Sequence, residues 1–395
     1  MTAVHVMGVG MTPWGKFPDR TFVDLGVEAL SAALGDAGIE WREVQSLNAA
    51  SHVWGGLPGI LAANQIVTAM GASGIPVSNG YNACASTGTA LYQSYLEVIS
   101  GMSDIAVAIG ADKSPEGFLP QVPKVIPQPV DVDELRWSAV AASHPVYWAL
   151  ECRRRMQALG TTEDDLALVK VTVSRHGADN PVARYRRAYS VEDVLASPVV
   201  ADPLHLLELC ATSDGAAAVV LCSDRVARER GSTGVRLAGV GIGTGQADDP
   251  SLRMPYLAST PGARGRALSE SVNSSARAYG QAGLGPRDID FVELPDNSAW
   301  HVLAYLEALD LCAPGEPEQL LRAGELGLGR RLPICPSGGL SSLGEAVSAQ
   351  GIAQVYELTR QLQGRAGSRQ VEGARAGLGQ VYGLFGVSST VVAVN

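Results

Sequence analysis

Cys84 holds the setting in this sequence that most resembles a nucleophile's. The run I75–I99 (IPVSNGYNACASTGTALYQSYLEVI) reads as a short strand entering a helix dense in small residues, which places Cys84 at the helix N-terminus. Free N–H groups and the helix dipole favour thiolate over thiol there, and the small neighbours Ala83, Ala85, Ser86 and Gly88 let a bulky acyl group approach. A buried structural cysteine is the other reading of the same residues. The remaining cysteines, Cys152, Cys210, Cys222, Cys312 and Cys335, are scattered, with neither a Cys-x-x-Cys pair nor a histidine at zinc-ligand spacing, so no metal is expected. Arg153, Arg154 and Arg155 on one predicted helix, and Arg184, Arg186 and Arg187 in a loop, could meet phosphates or simply be solvated. Gly8, Val9 and Gly10 do not complete a dinucleotide fingerprint, and Ser213 and Asp214 read as a turn without chemistry.

The elements that must position such a site are written twice. Residues 4–10 (VHVMGVG) reappear as 235–241 (VRLAGVG), and 33–44 (ALGDAGIEWREV) as 278–289 (AYGQAGLGPRDI). Each copy predicts a strand, then a helix with inward positions Val23, Val27, Leu30 and Leu34, or Leu268, Val272, Ser275 and Tyr279, capped by Gly38 or Gly283. Strands at 44–47, 289–294 and 105–109 follow. This alternation predicts two α/β halves with mostly parallel sheets that meet at a shared core, where a site would lie. The halves are expected over residues 1–114 plus 204–230 and over 231–395. Residues 115–203, proline-rich at first and then helical over 146–159 and 164–175, form an insertion of the kind that shapes a site.

The 395 residues carry 40 acidic and 30 basic side chains, a formal charge of −10, which argues against a nucleic-acid partner. With 46% apolar and 18% charged residues the chain can bury sizeable cores. Its longest apolar runs fall well short of the ~20 residues that span a membrane. No secretory signal is apparent at the N-terminus, so a cytoplasmic location is expected.

Four stretches resemble the thiolase superfamily, and within it the sterol-carrier-protein-type thiolases and thiolase-like acyltransferases: NACASTG around Cys84, CATSDGAAA from Cys210, IDFVELPDNSAWHVLAYLEALDLC from Ile289, and CPSGGLSSLGEAVSAQGIAQVYEL from Cys335. The resemblance covers essentially the whole chain. It implies the thiolase fold, with duplicated α/β halves in a layered α-β-α-β-α arrangement, and makes Cys84 the residue that accepts the acyl group. It also implies an oxyanion hole from the Cys84 and Gly386 N–H groups, and a homodimer pairing near residues 75–78. The thioester of CoA or of a carrier-protein phosphopantetheine would be the donor, with no permanently bound cofactor. Many sterol-type relatives also work with a small OB-fold, zinc-ribbon partner.

The departures from the family pattern are specific. The Gly-His-Pro motif becomes Gly344-Glu345-Ala346, and His-Asp-Cys-Phe becomes Pro295-Asp296-Asn297-Ser298. The C-terminal loop at 383–386 offers no cysteine. A carboxylate cannot stabilise an oxyanion unless protonated, but burial beside Cys84 would raise the Glu345 pKa and let it serve as acid or base. His52 and His144 lie in segments that resemble places where the thiolase-like subunit of the phloroglucinol acetyltransferase complex carries active-site histidines. His301, one turn beyond Ser298, could reach the same pocket beside Asn297 and Ser298. The reading favoured here is an acyltransferase whose acceptor is already nucleophilic. A retro-aldol or thiolytic C–C lyase acting with an OB-fold partner, and a non-catalytic scaffold subunit, are the alternatives.

Overall fold

The computed structural model describes residues 3–51, 56–114, 144–231, 234–252, 264–383 and 386–395. Its strands are β1 (Val4–Met11), β2 (Ser46–Ala50), β3 (Val77–Gly80), β4 (Ile105–Asp112), β5 (Val199–Ala201), β6 (Leu204–His205), β7 (Gly215–Ser223), β8 (Arg236–Thr244), β9 (Phe291–Glu293), β10 (Ala376–Gly383) and β11 (Val387–Val394). Nine of them form one sheet in the order β3-β2-β4-β7-β1-β8-β11-β10-β9, while β5 and β6 pair separately.

The repeat seen in the sequence is a repeat of topology. In the first half β2 runs parallel to β3 and β4, and β7 lies antiparallel between β4 and β1. In the second, β9 runs parallel to β10, β11 lies antiparallel between β10 and β8, and a parallel bridge from Val292 to Ile334 stands where β3 pairs with β2. The halves join where Val4 pairs Leu237 and His5 pairs Arg236. The expectation of mostly parallel sheets is therefore corrected: among the described strands most neighbours are antiparallel. The hairpin from Gly383 to Val387 can only reverse the chain, and the long insertion after β4 likewise brings β7 back in the opposite direction.

Helices Ser86–Ser100 and Gln350–Leu362 fill the layer between the halves, their apolar faces meeting in one core that includes Leu91, Tyr95, Leu221, Ile352, Val355 and Leu358. The Gly351 N–H donates to Thr87 Oγ1 at 2.9 Å, tying the two helices at their N-terminal ends. Helix Phe22–Ala37 covers the outer face of the first half, and Ser269–Ala282 that of the second. Both end as expected at left-handed glycines, Gly38 (φ 65°) and Gly283 (φ 67°). The buried stripe of the first runs through Leu25, Ala29, Leu30, Ala33 and Leu34, with Val23 and Val27 only half-buried at its edge. Leu268 precedes the second helix rather than lying in it.

The insertion supplies helices His144–Leu159 and Glu163–Ala178, close to the spans expected; the proline-rich stretch before them, from Pro115 on, lies outside the described residues. Among the described residues no helix is long and apolar enough to cross a membrane.

Candidate active site

The chain leaves β3 and turns sharply before the first central helix. Ala83 sits at φ 49°, a left-handed conformation that costs a non-glycine residue roughly 1–2 kcal/mol. Local hydrogen bonds hold the turn: Asn82 N–H donates to Ser86 Oγ at 2.9 Å, Ser86 Oγ to the Ala83 carbonyl at 2.5 Å, and Asn82 Nδ2 to Thr89 Oγ1 at 2.6 Å. Gln350 Nε2 fixes the Cys84 carbonyl at 2.9 Å. Gly383, at the end of β10, is pressed so closely onto this turn that a Cβ there would come within 2.1 Å of the Asn82 carbonyl oxygen. Cys84 is thus placed two residues before the helix and remains partly accessible.

Its thiol lies close enough to Glu345 for that carboxylate's charge to bear on it. Glu345 is buried and further held by Asn297 Nδ2 at 2.8 Å and by Cys210 Sγ at 3.1 Å. Its backbone is fixed as well, since Glu345 N–H donates to the Ala211 carbonyl at 2.7 Å and its carbonyl accepts from Ser213 N–H at 2.8 Å. Asp296 takes the N–H groups of Leu340 (2.6 Å) and Ser341 (3.0 Å), so both altered motifs are locked to one another. Burial raises the Glu345 pKa, and the hydrogen bonds from Cys210, Asn297 and Cys84 oppose that without overcoming it.

Here the reading of Cys84 as a low-pKa thiol is corrected. Burial first, then the Glu345 charge and its hydrogen bond, and then Asp112, push the thiol well above its ordinary value. The helix N-terminus is present, but desolvation and two facing carboxylates outweigh its partial charge. Cys84 is therefore a thiol at rest beside a buried carboxylate.

On the other side of the site His301 is fully buried, and its Nδ1 lies 3.1 Å from Ser298 N–H and 2.8 Å from Ser298 Oγ. Because a backbone N–H can only donate, Nδ1 is the acceptor and the ring proton belongs on Nε2. Nε2 lies 2.9 Å from Tyr382 Oη. Burial and then the neighbouring His144 hold the His301 pKa well below the usual histidine range, so the ring is neutral. His144 opens its helix, and burial lowers its pKa to about 4. Both histidines, with Tyr147, Tyr382, Gly383 and Gly386, line a cavity of about 40 Å³ walled by aromatic rings. Burial first, and then its acidic neighbours Tyr305, Cys84 and Glu345, raise the Tyr382 pKa well above its ordinary value.

Cys84, Glu345, Asn297, Ser298, His301, His144 and Gly386 therefore come together from elements far apart in sequence, while His52 lies outside the described residues. Tyr382 and Cys210 are members of this constellation that sequence reasoning missed. Beside Cys210 opens a groove of about 1010 Å³ lined by Lys16, Lys113, Lys170, Arg184, Tyr185 and Tyr189 among others. Lys170 is buried there, donating to the Ser341 carbonyl at 2.9 Å, and desolvation lowers its pKa to about 8. Asp214, read as a featureless turn residue, receives Lys113 at 3.0 Å and Lys16 at 3.6 Å. The 153–155 arginines are not free surface charge: Arg155 is buried between Glu318 (2.7 Å) and Glu307 (2.6 Å), Arg154 pairs with Glu151, and Arg153 with Asp202.

Comparison with known proteins agrees with this architecture. The model of the thiolase N-terminal domain matches residues 4–225, and that of the thiolase C-terminal domain-like family matches 264–395. The chain is 32% identical to acetyl-CoA acetyltransferase of Methanothermobacter thermautotrophicus, covering 99% of both chains. It is 33% identical to human sterol carrier protein 2 over 97% of its own length and 70% of that protein's. Among solved structures, an Ltp2-ChsH2(DUF35) aldolase superposes with a TM-score of 0.82 at 26% identity, covering 99% of this chain and 98% of that one. With both halves matched and an acetyltransferase aligned from end to end, the chain belongs to the thiolase family and is an acyltransferase of that family.

Proposed function

We propose that the chain forms an acyl-Cys84 intermediate from a CoA or carrier-protein thioester and passes the acyl group to a nucleophilic acceptor, with Glu345 doing the proton transfers. What supports this reading is a buried Glu345 carboxylate, held by Asn297 and Cys210, whose charge bears on the Cys84 thiol from the place where the resemblance puts an imidazole. Glu345 takes the thiol proton as sulfur attacks the thioester carbonyl, and the N–H groups of Cys84 and Gly386 receive the developing oxyanion. The bond from carbonyl carbon to the CoA sulfur then breaks, and Glu345 returns the proton to the departing thiolate. In the second half the acceptor attacks the acyl carbon and loses a proton to Glu345, which protonates Cys84 as it leaves. His144, neutral at physiological pH, and His52 are the other groups proposed to accept the acceptor's proton.

The groove with Lys16, Lys113, Lys170 and Arg184 suits the phosphates of a donor arm, and its inner wall reaches Cys210 beside Glu345. No resident cofactor is needed. Strand β3 lies at the outer edge of the sheet, where a second copy would pair to give a homodimer. The aldolase relative, whose title names a DUF35 component, supports a small accessory protein as a partner.

Intact-mass measurement with short, medium and aromatic acyl-CoA thioesters, with and without an OB-fold partner, tests this. A stoichiometric adduct that vanishes in Cys84→Ala supports it. Cleavage of a 3-hydroxyacyl-CoA without any adduct would favour the lyase, and no reaction at all the scaffold.

A further inference from the structure

The His301–Tyr382 pair is more than packing. Ser298 N–H and Oγ both lie on His301 Nδ1, which leaves the Nε2 proton to point at Tyr382 Oη, 2.9 Å away. The Tyr382 oxygen is therefore the acceptor of that bond, and its own hydrogen is left to donate to another atom. The ring cannot swing away, since Tyr382 stacks on His301 with centroids 5.1 Å apart and packs on Tyr305 at 5.6 Å. Side chain and backbone face the same cavity, whose wall also holds His144, Trp148, Trp300 and Tyr305.

We propose that this cavity is the subsite for the acceptor's reacting head, and that Tyr382 is a catalytic residue whose hydroxyl donates a hydrogen bond to a neutral carbonyl or enol oxygen there, while the acceptor's proton goes to Glu345. His301 is its positioning residue. The inference rests on the acyl-Cys84 reading, and adds to it the chemical class of the second substrate. Two observations select that class. Both imidazoles in the cavity are neutral at physiological pH, and among the described residues of its wall there is no lysine or arginine to meet a carboxylate. A volume near 40 Å³ admits a carbonyl-sized group and leaves a larger body to the outside. A phenol held above its usual pKa stays protonated, so it serves as donor and not as base.

The test separates the two half-reactions. Protein acetylated by acetyl-CoA is freed of donor and chased with acetylacetone, a neutral carbonyl and enol carbon acceptor, or with propylamine, which carries no oxygen. Loss of the adduct is read by intact mass. Tyr382→Phe keeps the ring and removes only the hydroxyl. It should acquire the acetyl group at the wild-type rate and be discharged by propylamine as wild type is, yet be discharged by acetylacetone about 100-fold more slowly. His301→Gln, whose amide can still donate, should retain more of the acetylacetone reaction than His301→Leu at equal thermal stability. Equal discharge of wild type and Tyr382→Phe by acetylacetone overturns the inference, as does a parallel loss with both acceptors. Failure of wild type itself to be acetylated overturns the acyl-Cys84 reading instead, and with it the basis of this one.

Discussion

Replacing Glu345 by Gln should move two properties of Cys84 in opposite directions. The substitution preserves shape but removes a charge that bears on the thiol. Two unit charges at about 4 Å repel by roughly 4 kcal/mol at an effective dielectric constant of about 20. Removing that repulsion favours the thiolate, so the Cys84 pKa should fall. Burial and Asp112 still hold it up, and relaxation reduces the gain, so about tenfold more thiolate at neutral pH is expected. Iodoacetamide alkylation followed across pH, with the modified peptide identified by mass, measures this separately from Cys210. Glu345→Gln should therefore alkylate faster at neutral pH while its acyl transfer falls by about 100-fold or more, because the proton carrier is gone. Slower or unchanged alkylation would refute the electrostatic account, and retained acyl transfer would refute the role of Glu345.

Other perturbations separate framework from site. Arg155→Met removes the cation between Glu307 and Glu318 and should cost about 3 kcal/mol of stability, seen in thermal or urea unfolding, while leaving the KM for acyl-CoA unchanged; a KM effect alone would return this arginine to phosphate binding. Asp165 caps helix Glu163–Ala178 and takes Arg322 at 2.7 and 2.6 Å; burial opposes its ionisation, but these partners hold its pKa below the ordinary 3.8. Its stabilisation is thus fully present above that value and is lost as pH falls through the lowered folded value. Asp165→Asn should destabilise the protein by about 1 kcal/mol at neutral pH, discounted for the exposed Arg322, and by progressively less in urea titrations below pH 4.

The doubled α/β plan and the placement of Cys84 were legible because they are written locally: repeated strand-and-glycine patterns, and small residues at the head of a helix. Sheet polarity was not, since the reversal at Gly383–Val387 and the return through residues 115–203 follow from where strands pair, not from what they contain. The same locality misled the reading of Cys84. Its helix N-terminus is visible in the sequence, but the desolvation that dominates its titration comes only with folding, and the carboxylate that adds to it is 261 positions away. His301 stood near an altered motif and could be suspected, whereas Tyr382 lies in an ordinary-looking strand 81 residues further on. The available signal was a tyrosine directly before the glycine that crowds the Cys84 turn, and it acquires meaning only when β10 is placed beside that turn. Arg155 shows the converse case: three consecutive arginines suggest surface charge, and folding buries one between two glutamates.

The central claim is that Cys84 carries the acyl group, and the most direct measurement is the intact mass of the protein after incubation with acyl-CoA thioesters, beside Cys84→Ala. The account predicts one acyl group per chain on the wild-type protein, located on the Cys84 peptide and absent from the variant. An adduct that persists in Cys84→Ala, or none with any donor even with an OB-fold partner present, would contradict it.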